Sequence, residues 1–284
     1  MRRKCFGIWM LLGLLVSCEA IWAGRERVEV PFKLYRGYAI VVQGSVGRLQ
    51  KLNLLIDTGA VPSVIDRRIA KRLKLAGAVE RLTVFSRDVQ ARRVVVPEVR
   101  VGPVIATSVA ALVQDLSFIE QGLGVRVDAM VGLDMLGRTS FSIDYEAERL
   151  VFGLVEPSQS AHSLQVGPGF VYLTIHVQER PIYLVVDTGT KDLILFESRV
   201  QNRLNGLRAQ GTKTSSNLGG EVRLRQVSLP EARLGSTPLG PLNAFLLDSP
   251  SQGTPGFDGL LGVRSLILTR LVFDFERQTI SWER

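Results

Sequence analysis

Histidine and cysteine are scarce in this 284-residue chain, with two of each. Both cysteines, Cys5 and Cys18, lie near the N-terminus, so everything after Cys18 must stand without internal disulfides. The same scarcity argues against a metal site, because His162 and His176 have no partners at credible ligand spacing. A Ser-His-Asp triad would need one of those histidines, and no Gly-x-Ser-x-Gly elbow accompanies them. Glycine-rich phosphate loops are missing too, so no cofactor is implied. Like charges never run to five in a row, and no aromatic stripe interleaves the basic residues. Nucleic acid is therefore not the expected partner.

What is present begins with a leader. Met1-Arg2-Arg3-Lys4 is positively charged and Cys5 to Ser17 is an apolar run of 13 residues. A bilayer core of about 30 Å takes roughly 20 residues to span, so this run is too short for a membrane helix. Residues 1–18 read as a secretory signal peptide. Leu15-Val16-Ser17-Cys18 resembles a bacterial lipobox, which implies cleavage before Cys18 and lipidation of that cysteine. The alternative is ordinary cleavage near Ala20 or Ala23, with Cys18 discarded. Either way the chain is expected to be exported to a bacterial periplasm or cell envelope, with a lipid anchor in the first case. A hydrophobic fraction of 46% is ample for a packed core.

Internal repetition decides the architecture. Leu55-Ile56-Asp57-Thr58-Gly59 recurs as Val185-Val186-Asp187-Thr188-Gly189, 130 residues later. Met130-Val131-Gly132-Leu133 returns as Leu260-Leu261-Gly262-Val263, and Phe141 to Glu146 as Leu271 to Glu276, both at the same offset. Three motifs in one register make the chain a tandem duplication. Apolar, β-branched runs such as Ala39 to Val42, Leu52 to Ile56 and Val171 to Val177 predict strands, so each half is expected to be mostly β. Helix is expected only after each Asp-Thr-Gly, where Ile65, Ile69 and Leu73 fall at helical spacing, and in the matching stretch 195–207. The halves divide as 28–152 and 169–284, joined by the Pro- and Ser-bearing stretch 153–168, which reads as a linker.

A single Asp-Thr-Gly is an ordinary turn sequence. Two copies, each after a strongly apolar strand, would bring Asp57 and Asp187 together across a pseudo-twofold axis. Carboxyls about 3 Å apart cannot both ionise cheaply, so they share a proton. The ionised one can then act as a base on water while the protonated one polarises a carbonyl. Asp144 and Asp274 also repeat in register, but each precedes an aromatic residue and a charged turn, which reads as the closure of a hairpin.

These motifs resemble the aspartic peptidase superfamily, and in particular bacterial retropepsin-like proteases with two fused lobes. Val131-Gly132-Leu133-Asp134-Met135-Leu136 is similar to that family's Gly-hydrophobic-Asp-hydrophobic-Leu segment, and Leu261 to Leu266 is a looser copy. The resemblance covers about residues 28 to 284. It implies two β-barrel lobes with short helices and a cleft between them. Asp57 and Asp187 would be catalytic, Thr58 and Thr188 would brace the loops beside Gly59 and Gly189, and Gly132 and Gly262 would mark the strands threading past them. The sequence departs from the family where Ala60 is followed by Val61-Pro62. Flap hairpins should fall near Thr83 to Val95 and Lys213 to Leu224. Only the second has a glycine-bearing tip, so Ser216, Asn217, Gly219 and Gly220 are the expected flap contacts. The implied partner is a peptide or protein substrate and the implied state a monomer. A catalytically silent, envelope-anchored peptide-binding protein on the same fold is the alternative.

Overall fold

The computed structural model describes residues 26–84, 87–156, 161–167, 169–248 and 256–284. Each half opens with a hairpin of β-branched and leucine-rich strands, Ala39–Val46 with Leu49–Ile56 and Val171–Val177 with Arg180–Asp187. Branched side chains lose little rotamer freedom in extended backbone, which favours strand over helix here. Val171–Val177 alternates buried and half-buried positions along its whole length, one face toward a core and one away.

Six strands close on themselves in each half. In the first, the order is Ala39–Val46, Leu49–Ile56, Ala129–Val131, Val64–Asp66, Val104–Gln114 and Arg87–Val101, closed by Ser45 opposite Arg100. The second repeats it with Val171–Val177, Arg180–Asp187, Gly259–Gly262, Leu193–Phe196, Thr237–Leu247 and Gly220–Leu234, closed by Ile175 opposite Leu234. Closure leaves no free edge within the ring. Outside each ring one more strand, Gly77–Val84 or Ala209–Asn217, forms a hairpin with the long strand that follows it. The duplicated, all-β, two-lobed architecture expected from the sequence is the one observed.

The 130-residue offset carries a further buried pair. Asp128 accepts the Asn53 amide at 3.0 Å and Asp258 accepts the Tyr183 amide at 2.9 Å. Each carboxylate thus pins the strand that carries Asp57 or Asp187.

The lobes meet through a shared sheet. Phe141–Asp144 pairs antiparallel with Arg270–Asp274, placing Phe141 opposite Phe273, Ser142 opposite Val272 and Ile143 opposite Leu271. Ser142 and Val272 are equivalent positions in the two repeats, so this pairing is centred on the pseudo-twofold axis. At its centre Phe141 and Phe273, both fully buried, stack with ring centroids 4.7 Å apart. One apolar core runs continuously from one lobe to the other.

Three local features differ from the sequence reading. The described part of the 153–168 stretch is built into the fold, with His162–Ser163 pairing Thr279 and Ile280 and Gln165–Val166 pairing Val171 and Tyr172. The stretch after the first Asp-Thr-Gly is only partly helical. Ile65 lies in strand Val64–Asp66, and the helix α1 is confined to Arg67–Arg72. Asp66 makes that switch, because its buried carboxylate caps the Arg68 amide at 2.8 Å. Two further short helices, α2 (Ser117–Leu123) and α3 (Leu133–Leu136), precede α4 (Glu197–Val200), and α4 is all that forms of the helix expected over 195–207. Leu195 and Phe196 are held instead as strand against Gly259 and Leu247.

Cutting Phe273 back to alanine removes half of the stacked pair at the axis, with an expected cost of about 3–5 kcal/mol. Val95→Ala, at a side chain 60% exposed, is expected to cost less than about 0.5 kcal/mol. Chemical denaturation of the two variants measures the difference.

Candidate active site

Each Asp-Thr-Gly turn leaves a strand whose pairing runs up to the aspartate. Asp57 donates its amide to the Val131 carbonyl at 3.0 Å, and Asp187 lies opposite Gly262 in the parallel ladder. The strand behind each turn is buried, so the turn rests on a rigid support. Gly132 and Gly262 permit the close approach of these segments. A Cβ on Gly132 would stand 1.6 Å from the Ala60 carbonyl oxygen, and one on Gly262 would stand 2.5 Å from the Asp192 amide nitrogen. No other residue fits at either place.

The two turns are crossed by their threonines. Thr58 donates its hydroxyl to the Val186 carbonyl at 2.6 Å, and Thr188 donates to the Ile56 carbonyl at 2.9 Å. In return the Thr58 amide donates to Thr188 Oγ1 at 3.0 Å and the Thr188 amide to Thr58 Oγ1 at 3.1 Å. Both side chains are fully buried. Each hydroxyl is therefore donor to one strand end and acceptor from the opposite turn, leaving no polar group unmatched.

This crossing sets the carboxyls against each other. A Cβ on Gly59 would fall 2.5 Å from Asp187 Cγ, and one on Gly189 would fall 2.4 Å from Asp57 Cγ. Each acid is thus seated over the glycine of the other lobe. Asp57 Oδ1 accepts the Gly59 amide at 2.9 Å and Asp187 Oδ1 accepts the Gly189 amide at 2.8 Å. Both residues are only 6% exposed. Burial pushes Asp57 up to about 6, opposed by hydrogen bonds from the Gly59 amide and from Asp187. Burial, and then the neighbouring Asp57 charge, holds Asp187 well above the usual carboxylate range. Burial and the neighbouring charge thus leave one proton shared between the two carboxyls, and their titration belongs to the pair.

The pair lies in a cleft of about 630 Å³ between the lobes. Two apolar clusters flank it. The first lobe contributes Leu55, Val64, Ile119 and Met130 with Phe118 packed on them, while the second brings Phe196, Phe257, Val222 and Leu224. Ser215, Ser216, Asn217 and Leu218, from the outer hairpin of the second lobe, also line the cleft. Among the four expected flap contacts, Ser216 and Asn217 face the cleft, whereas Gly219 and Gly220 form the back of the turn. Gly219 is held by Asn217 Oδ1 at 2.7 Å, and Gly220 adopts φ 97°. Among the described residues, the outer hairpin of the first lobe contributes nothing to the cleft. Lys213, on the strand Ala209–Asn217, pairs with Asp192 just beyond the Asp187 turn and lies 3.6 Å from the Phe245 ring centroid.

Other sequence candidates fall elsewhere. Asp144 accepts the Ala147 amide at 2.7 Å, and Asp274 accepts the Arg277 amide at 2.9 Å, both closing hairpins. His162 stacks on Trp282 with ring centroids 4.7 Å apart. Cys18 lies outside the described residues. The sequence reading missed α2 and Tyr38, which also line the cleft. Tyr38 is not repeated at the 130-residue offset, since position 168 is Pro where position 38 is Tyr.

A family model described as aspartyl protease matches residues 42–135 and 173–264, one copy on each barrel and well over half of the chain. Comparison with curated proteins finds no match.

Two predictions follow from the crossed turns and the buried acids. Thr188→Val keeps the shape but leaves the Thr58 amide and Ile56 carbonyl without a partner, an expected loss of about 1–3 kcal/mol. Thr188→Ser should recover most of it, and denaturation melts of both variants check this. Asp187→Asn tests the electrostatics. The folded-state pKa of Asp187 is raised, so the unfolded chain releases this proton more readily and folding is penalised increasingly as pH climbs above the ordinary carboxylate value. The variant is expected to melt above wild type at about pH 7, with the gap closing toward about pH 3 where both states keep the proton. A gap of equal size at both pH values would contradict the assignment.

Proposed function

The chain belongs to the aspartyl protease family, and on that premise we propose that it is an endopeptidase hydrolysing peptide bonds with water activated by Asp57 and Asp187. The observation that carries the proposal is the seating of each buried carboxyl over the glycine of the other lobe, at the floor of a cleft. With one proton shared by the pair, Asp57 acts as the base and takes a proton from the attacking water. Asp187 lends its proton to the scissile carbonyl oxygen as the tetrahedral gem-diol forms. On collapse the C–N bond breaks, the proton gained by Asp57 passes to the leaving nitrogen, and a gem-diol hydroxyl returns a proton to Asp187, so the pair is restored.

The apolar walls, mixed aliphatic and aromatic on both lobes, support an extended peptide with apolar side chains. The second-lobe hairpin is the flap in this reading, since its tip residue Leu218 packs across the cleft against the first-lobe cluster beside Ala60 and Phe118. Main-chain hydrogen bonds from such a hairpin suit a strand-like substrate. The leader supports export, with Cys18 as a lipid anchor, and the two fused lobes supply both acids without dimerisation.

The activity is expected to rise with pH through about 6, as the pair loses its first proton, and to fall again where it loses the second. A peptide library assayed across that range should show a bell-shaped kcat/KM profile, reduced by at least about 10³-fold in Asp57→Asn. Wild type and variant that are equally inert while a peptide still binds would instead establish the silent binding protein.

A further inference from the structure

We infer that Tyr38 positions the bound peptide by donating its phenolic hydrogen to a main-chain carbonyl of the substrate. This deepens the peptidase reading and rests on the cleft being the peptide-binding cleft. Tyr38 ends a turn in which Arg36 and Gly37 both adopt positive φ, 51° and 72°. The turn is fastened by the Tyr38 amide donating to the Tyr35 carbonyl at 3.1 Å and by Arg36 Nε donating to the Gly122 carbonyl, at the end of α2, at 3.2 Å. The half-buried phenol packs on the first-lobe apolar cluster, which also receives Phe118 and the flap-tip Leu218. It lines the same cleft as Asp57 and Asp187.

The ring is therefore held on several sides, yet its hydroxyl meets no hydrogen-bond partner among the described residues. A peptide filling the cleft strips water from that hydroxyl, and an unmatched hydroxyl then weakens binding. Burial, and then the charges of Asp192 and Asp187, raise the phenol's pKa, outweighing the opposing Arg36 charge. The group stays protonated throughout the working range and can donate. Among the groups a peptide brings to every subsite, the main-chain carbonyl is the acceptor that does not depend on sequence.

The duplication sharpens the point. Thr58 and Thr188, Gly59 and Gly189, and the two acids are related by the pseudo-twofold axis and cannot tell one peptide direction from the other. By the register of the two opening hairpins Gly169 stands where a second Tyr38 would be, so this donor exists on one side only. It thereby favours one chain direction in an otherwise symmetric floor.

Tyr38→Phe keeps the ring and its packing, and is the variant of choice. With the best-cleaved library peptide, we expect kcat/KM to fall about tenfold, mainly through KM, as for loss of one hydrogen bond. The melting temperature and both limbs of the pH profile should not move. Calorimetry with a hydroxyethylene analogue of that peptide should give about tenfold weaker binding for the variant. In a series with each main-chain carbonyl reduced to methylene in turn, one member should lose affinity for wild type and none further for Tyr38→Phe. Equal affinity of wild type and variant, equal sensitivity of both to every reduced analogue, or a displaced acid limb would overturn the inference. Binding without cleavage in wild type refutes the peptidase reading alone, since the calorimetric comparison still decides the role of Tyr38. A wild type that neither cleaves nor binds would end both.

Discussion

Two threonine hydroxyls hold this molecule's centre together. Thr58 and Thr188 each bond both to the strand end and to the turn of the opposite lobe, so neither turn has a complete set of partners alone. Buried amides and carbonyls left unmatched cost about 1–3 kcal/mol each, which makes the crossing close to all-or-none. From it follows the placement of the acids, because only turns locked at this separation bring a carboxyl over the other lobe's glycine. The raised pKa values are then a consequence of burial, and for Asp187 also of the neighbouring Asp57 charge, rather than a separate design.

Within this symmetric frame the two copies have diverged where symmetry is not required. In the first lobe, Ser63 and Asp134 brace the turn, with Ser63 Oγ donating to Asp134 at 2.7 Å and receiving the Gly132 amide at 3.0 Å. The position equivalent to Asp134 is Arg264 in the second lobe, and there the Asp187 turn is tied by Asp192 to Lys213 on the outer hairpin. The brace on one side thus runs to the segment threading past the turn, and on the other to the outer hairpin. The cleft walls differ too, with Phe118 and Tyr38 among the aliphatic residues of the first lobe and Phe170, Phe196 and Phe257 among those of the second. The floor demands equivalence because both acids share one proton; the walls carry no such constraint and are free to differ.

Much of this was legible before the structure. The 130-residue register exposed both aspartates, both threonines and all four glycines, since residues fixed by backbone contact tolerate no replacement in either copy. The strands near the acids were legible because they are buried on both faces and read as unbroken apolar runs. Asp66 was not, because its carboxylate is buried by accepting the amides of Arg68 and Leu116, and a partnered buried acid looks like a surface residue in a sequence. His162–Ser163 and Gln165–Val166 pair over two residues each, too short for any periodicity to register. Tyr38 lacks a repeat partner and sits in a turn, so its meaning comes only from what the fold places beside it.

The hairpin formed by Arg270–Asp274 and Thr279–Glu283 completes the sheet that binds the lobes, and every residue it touches is made earlier. A chain made from its N-terminus therefore completes both Asp-Thr-Gly turns before the strand that joins the lobes through the shared sheet has been made. The seam between the repeats is the last pairing that synthesis makes available, so the apolar edge at Phe141–Asp144 waits longest for its partner.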